Sequence, residues 1–260
     1  MFKKYTFKFA VAVMAFVFLL AGCRNKEGIN DVYKDFRGQT AVEIFQSAQK
    51  SLAKKHYDDA VKKLEALDAI YPFGIYSRQG QLNLIYAYYM SRKMPSAMAT
   101  SARYIRLYPR GPATDYAYYM RGLSALQQEG GWLSRRLGLR PSGADMSYIR
   151  SAYADMSSII RFFPDSIYAS SAAFYMAGTR AVLADHQLGV ARFYYDHHAF
   201  LAAANRAQEV VLHFQGTPEV IPSLVIMVKS YRHLHLDTQA NNAYRVLRLN
   251  APHVAEKLRI

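Results

Sequence analysis

Four prolines stand at matched places along this chain. Pro72, Pro109 and Pro164 each follow an aromatic residue, Tyr71, Tyr108 and Phe163, and a proline recurs at Pro252. Twelve residues before each stands an alanine: Ala60, Ala97, Ala152 and Ala240. In an alanine-rich chain one such coincidence is expected by chance, but not four. A degenerate member completes the series, with Ala203 placed twelve residues before Gln215, which follows Phe214. The physical demand behind such a pattern is direct. Two helices approach closely only where a side chain is small, and a proline stops the second helix before the next unit starts.

Helical periodicity inside each unit agrees. Ile44, Phe45, Ala48 and Leu52 form one apolar stripe, and Tyr57, Ala60, Val61, Leu64 and Leu67 form a second. The later units split the same way, as Leu82 to Met90 with Pro95 to Leu107, Tyr116 to Leu126 with Met146 to Phe163, and Leu224 to Leu234 with Thr238 to Leu249. No period-two run of strand length occurs, so no sheet is expected. Helix pairs of this length, ending in proline and carrying a fixed small residue, resemble the tetratricopeptide repeat. The expected fold is all-α, a right-handed superhelix of about five such pairs. The markers at 72, 109, 164, 215 and 252 are spaced 37, 55, 51 and 37 residues apart. The first long interval contains Gly130-Gly131, Gly138, Pro141 and Gly143, which reads as a loop inserted in the third pair at about 129–145. The second has no proline from Ser166 to about His197, which predicts one extended helix in the fourth pair, with Gly178 and Gly189 as its weak points.

Ahead of the repeats lie Lys3, Lys4 and Lys8, then an uncharged apolar run from Phe9 to Ala21, then Gly22 and Cys23, the only cysteine. That run is shorter than the roughly 20 residues a membrane-spanning helix needs. Charged, apolar and small-residue segments in this order read as an export signal. Leu20-Ala21-Gly22-Cys23 resembles the bacterial lipobox, in which the cysteine is lipidated and several acyl chains anchor the mature protein. By the same resemblance Arg24, where an aspartate would favour inner-membrane retention, points to the outer membrane. The organisation expected is a signal over 1–22, a lipidated cysteine and tether over 23–38, N-terminal repeats over 39–165 and C-terminal repeats over 166–260. With Cys23 lipidated no thiol remains for a disulfide or a metal, and no cofactor is expected beyond the covalent lipid.

Lysines and arginines number 33 against 19 acidic residues, a formal +14. In an exported chain that balance points to acidic protein partners or lipid head groups rather than nucleic acid. Placed on the marker alanines, the first helix of each pair lines a concave groove. Phe45, Gln49 and Leu52 enter it from the first unit, Gln79, Leu82, Tyr86 and Tyr89 from the second, and Tyr116, Tyr119 and Leu123 from the third. Aromatic pockets beside amides suit an extended peptide, although the same tyrosines also suit the core between repeats. His197-His198 and the pair His233 and His235 are read as helical neighbours facing apart, so no metal is expected. Ser134-Arg135-Arg136 beside Trp132 reads as a solvated loop. No nucleophile motif or phosphate loop occurs and the carboxylates fall on expected solvent faces, so no enzyme is expected.

Tyr71-Pro72-Phe73-Gly74, Tyr76-Ser77, Gln79, Gln81-Leu82 and Leu84-Ile85-Tyr86-Ala87-Tyr88-Tyr89, with the lipobox and repeats, resemble the BamD or ComL-like family of outer-membrane assembly lipoproteins. Tyr119-Met120-Arg121-Gly122-Leu123 and Ala203-Ala204-Asn205-Arg206 add to the match. The resemblance implies a lipid-anchored, periplasm-facing scaffold of the machinery that assembles β-barrels in the outer membrane of a Gram-negative bacterium. It implies unfolded outer-membrane proteins, a BamA-type core subunit and other assembly lipoproteins as partners. By position, Tyr76, Gln79, Tyr86 and Tyr89 line the substrate end, which takes the client's C-terminal targeting segment, and Arg206 faces the core subunit. Gln215 in place of a proline and the composition of 137–141 depart from the family pattern. A pilotin-type lipoprotein that assembles a pilus or secretin would use the same repeats.

Overall fold

The computed structural model describes residues 33–128 and 146–258, so Cys23, the signal and the expected insertion lie outside the described residues. Among the described residues ten α-helices pair in sequence: α1 (Ala41–Ala53) with α2 (Tyr57–Ile70), α3 (Ile75–Met90) with α4 (Met94–Leu107), and α5 (Thr114–Gln128) with α6 (Ser147–Phe162). The series continues with α7 (Ala169–Asp196) and α8 (Phe200–His213), then α9 (Val220–His233) and α10 (Asp237–Asn250), and closes on the short α11 (Pro252–Glu256). Among the described residues there is no strand, and no helix is long and apolar enough to cross a membrane. The fold is therefore all-α and built from tetratricopeptide-like pairs. By internal contacts the chain forms two compact units that meet within α3, at Gly80 and Gln81.

All five marker alanines, Ala60, Ala97, Ala152, Ala203 and Ala240, are buried. The residue ending each second helix adopts one backbone conformation, with φ between −149° and −120° and positive ψ, at Tyr71, Tyr108, Phe163, Phe214 and Ala251. Four of these precede a proline, which excludes the helical conformation. Phe214 precedes Gln215 instead. There the stop is made by Gly216 at φ +82° and by Thr217, whose Oγ1 donates to the Phe214 carbonyl at 2.9 Å.

The turns inside the pairs follow a second rule, one the sequence did not announce. Lys55, Arg92, His198 and His235 each sit two residues past a first helix with φ between +55° and +60°. In each case the next residue's N–H reaches back five residues, as His56 to Ser51, Lys93 to Tyr88, Ala199 to Tyr194 and Leu236 to Tyr231, all at 2.9 Å. This is the six-to-one bond of a Schellman turn, normally built on glycine. The histidine pairs expected as helical neighbours therefore occupy these turns, with His197 ending α7 and His198 and His235 in left-handed conformation.

In the first unit, α1 begins at a capping box: the Thr40 N–H donates to Glu43 Oε2 at 2.7 Å and the Glu43 N–H to Thr40 Oγ1 at 3.4 Å. Helices α1 and α2 share a polar link in which Ser51 Oγ donates to Asp59 Oδ2 at 2.5 Å and Lys63 Nζ reaches the same oxygen at 2.6 Å. Gly80 comes so close to α2 that a Cβ there would lie 2.8 Å from Leu67 Cδ2. Helix α3 starts at Ile75 rather than Leu82, and its first turns carry no apolar stripe, since Ile75, Tyr76, Arg78 and Gln79 are exposed and the buried positions are Ser77 and Gly80. Ahead of α1, Lys34–Phe36 forms a 3-10 turn and buries Phe36, in the stretch expected as tether.

In the second unit, each helix from α4 to α10 packs on the next. At 28 residues, α7 is about 42 Å long, twice the length of α8. Ala172 and Leu183 pack in the clusters that hold Met156, Ile159, Ile149 and Ala152 of α6, whereas Leu188 and Ala191 pack with Ala203 and Ala207 of α8. The extra turns thus give each neighbour its own half of α7. The end of α8 is consequently displaced along it: Phe214 joins the cluster of Leu126 and Met146, which flank the expected insertion, and Arg180 donates to the His213 carbonyl at 3.3 Å.

Helices α5 and α6 are locked differently. A Cβ on Gly122 would lie 2.6 Å from Met156 Cε and 3.3 Å from Asp155 Cβ. Beside this contact the Arg121 guanidinium donates to the Asp155 carboxylate, from Nη2 at 2.6 Å and from Nε at 3.0 and 3.2 Å. Asp155 corrects the expectation that carboxylates sit on solvent faces. It lies three residues beyond Ala152, hence on the buried face of α6, where burial raises its pKa against the pull of Arg121.

Candidate functional site

The candidate residues fall in both units. In the first, Phe45 of α1 and Tyr76 of α3 bring their rings to 5.5 Å, with Phe45 half-buried and Tyr76 exposed. Gln49 and Gln79 are exposed. Aromatic surface with amides beside it is thus present within this unit alone.

In the second unit a larger aromatic group forms. Tyr119 of α5 stacks on Tyr168 at 4.8 Å and 22° and lies 6.3 Å from Tyr175, while Tyr116 tilts against Tyr168 at 5.9 Å. Tyr89 of α3 packs on the same α5 cluster, around Ile85, Tyr104, Ala117 and Met120. Tyr86 is exposed, and Tyr89, Tyr116 and Tyr119 are half-buried. Six tyrosines, from α3, α5, α7 and the turn that leads into α7, therefore converge.

The turn after α6 positions Tyr168. Ser166 Oγ donates to Asp115 Oδ2 at 2.6 Å and accepts the Tyr168 N–H at 3.1 Å, tying this turn to the start of α5. Tyr168 and Tyr175 were not among the residues expected in the groove. Their spacing of seven, from the N-cap of α7 into that helix, was the available signal, since it places both on one side of the helix start.

Electrostatically the cluster stays neutral. Burial, then the neighbouring Tyr168 and Tyr86 hydroxyls, pushes the Tyr116 pKa far up. Burial also raises Tyr89, Tyr168 and Tyr175, with Tyr119 contributing to all three. These side chains remain phenols at physiological pH, offering hydroxyls and ring faces rather than charge.

Arg206 lies elsewhere, exposed on α8 beside the buried Ala203, Ala204 and Ala207. His197, His198, His233 and His235 lie at the turns inside the fourth and fifth pairs. His233 stacks on Phe200 at 4.2 Å and 5°, and its Nε2 lies 3.4 Å from the Tyr195 hydroxyl. Among the described residues no three His, Cys, Asp or Glu side chains group as metal ligands. Trp132, Arg135 and Arg136 lie outside the described residues.

Comparison with known proteins gives one consistent result. The family model described as outer membrane lipoprotein, YfiO, matches residues 37–246. The outer membrane protein assembly factor BamD of Vibrio cholerae is 33% identical over 232 residues, covering 89% of this chain and 94% of that protein. BamD of Neisseria meningitidis serogroup A is 32% identical over 233 residues, covering 90% and 87%. BamD of Xylella fastidiosa strain Temecula1 is 30% identical over 245 residues, covering 94% and 81%.

Proposed function

Since the chain belongs to the YfiO family of outer membrane lipoproteins, alongside the BamD assembly factors, we propose that it is a non-catalytic, lipid-anchored scaffold for outer-membrane β-barrel assembly. It binds the C-terminal targeting segment of unfolded barrel proteins and docks through its C-terminal repeats on a BamA-type core subunit. The supporting observation is the convergence of Tyr86, Tyr89, Tyr116 and Tyr119 with Tyr168 and Tyr175 in the second unit. An extended segment ending in an aromatic residue suits it: ring faces take the aromatic side chain and neutral hydroxyls take main-chain groups. The Phe45 and Tyr76 pair gives the first unit a separate aromatic contact of the same kind.

Within the cluster the rings have unequal roles. Tyr116 and Tyr119 are packed against the core, so their loss would disturb the fold as well as the site. Tyr86 is the exposed member and the informative one to change. Tyr86→Ala is expected to weaken binding of a barrel C-terminal peptide about tenfold, a typical loss for a truncated aromatic contact, with helix content unchanged. Unchanged affinity by fluorescence anisotropy would move the peptide site elsewhere. For docking, Arg206→Glu should reduce recovery of the core subunit when the tagged chain is purified from detergent-solubilised outer membrane. Full recovery at elevated salt would remove Arg206 from that interface.

A further inference from the structure

The turn after α2 carries apolar side chains that neither the core nor the peptide contacts use. Ile70 is 37% exposed, Phe73 89% and Ile75 67%, and no charged residue occurs from Ala69 to Ser77. The turn is held in shape. Gly74 takes φ +108°, open to glycine alone, Ser77 Oγ donates to the Pro72 carbonyl at 3.0 Å, and the Arg78 N–H bonds to the Gly74 carbonyl at 3.1 Å. A large aromatic residue presented to water at a fixed tip contributes nothing to the packing of its own unit. It points to an apolar partner.

The course of the chain says which partner. The Tyr71 hydroxyl donates to the Gln39 carbonyl at 2.7 Å, so the entry to α1 and the base of the apolar turn are joined. Read backwards from there, Asp35 pairs with Lys62 at 3.2 Å, and Tyr33 lies near Glu65 and Asp68, which together with burial raise its pKa. From Asp35 to Tyr33 the chain thus runs along α2 toward Ile70, the end that bears the turn. Tyr33 follows Cys23 by only ten residue steps, a reach of at most about 36 Å.

We propose that the turn at 70–76 is a second membrane contact, seating Phe73 and Ile75 at the headgroup–acyl boundary of the leaflet that holds the lipid on Cys23. The proposal rests on Cys23 being lipidated. Interfacial seating suits this composition, since the aromatic ring of Phe73 and the aliphatic side chain of Ile75 gain by leaving water. Arg78, exposed behind the tip, supplies a guanidinium for lipid phosphate, and no carboxylate on the tip opposes it. The short tether raises the local concentration of bilayer, so a contact too weak to hold the chain alone still orients the unit against the surface.

The test uses the full lipidated chain in vesicles of phosphatidylethanolamine and phosphatidylglycerol. The only tryptophan is replaced by Trp132→Phe, and Phe73→Trp places the reporter at the tip. Its emission should shift to the blue and be quenched roughly twofold or more by lipids brominated on the acyl chain, as interfacial burial requires. Lys54→Trp, at the opposite end of the α1–α2 pair, should remain accessible to aqueous iodide. If the protein floats with vesicles while the Phe73→Trp reporter stays water-exposed, the tip contact is wrong and the lipid tether stands. If the protein does not float, both fail. A blue shift produced by a barrel C-terminal peptide and not by lipid would assign the tip to the client and overturn the proposal.

Discussion

Between α9 and α10 the chain turns within three residues, Leu234 to Leu236; between α5 and α6 it takes eighteen, from 129 to 146. The two pairs present the same problem, how to hold antiparallel helices in one register, and they differ in what does the holding. In the fifth pair the turn closes on itself, with the Leu236 N–H bonded to the Tyr231 carbonyl, and the helices meet through Ala240 and Tyr231, with Ala204 of α8, and through Leu224 and Leu247. In the third pair the connection is six times as long, and by chain length alone its closure costs about 1.6 kcal/mol more. There the directional Arg121–Asp155 pair lies beside the close approach at Gly122, and a bidentate ion pair tolerates one register only. The pair with the long connection is thus the one whose helices are joined by a buried ion pair.

The largest effect should come from removing that charge. Asp155→Asn keeps the shape but leaves the Arg121 guanidinium without its counter-charge. The expected loss is roughly 2–4 kcal/mol, below the full buried-pair range because Arg121 keeps 27% of its side-chain surface exposed. Urea unfolding measures it, and a loss under about 0.5 kcal/mol would reduce the pair to a surface-type bridge and dissolve the contrast. The joint change Arg121→Met with Asp155→Leu should recover most of that loss.

The fifth pair should respond to volume instead. Ala240→Leu forces a branched side chain against Tyr231 and should cost roughly 1–3 kcal/mol. Tolerance without loss in a thermal melt would mean that the marker alanine does not set the approach. The smallest effect runs the other way. His235→Gly removes a side chain from φ +55° and should stabilise by about 0.5–1 kcal/mol, the left-handed penalty less the added freedom of the unfolded chain. A destabilised variant would show that the His235 side chain contributes more than its backbone costs.

Part of the aromatic cluster was visible in the residues. Tyr86, Tyr89, Tyr116 and Tyr119 were singled out by helical phase, and three of them pack in or beside a single cluster. Tyr168 and Tyr175 were not, because their contribution depends on the Ser166–Asp115 bond between residues 51 apart in sequence. Asp155 was misplaced for a related reason. A carboxylate is assigned to solvent by default, and only a partner on another helix reverses that default.

The sequence by itself determined that this chain is a series of helix pairs, where each pair ends, and which alanines separate them. These are properties of single residues acting locally: proline bars a helix from continuing, and a methyl side chain permits close approach whatever surrounds it. Tertiary structure alone decided how α7 is shared between α6 and α8, how the end of α8 comes to lie beside Leu126 and Met146, and which tyrosines share one surface. Those outcomes depend on contacts between residues far apart in the chain, and no periodicity along the sequence encodes which distant side chain will stand opposite.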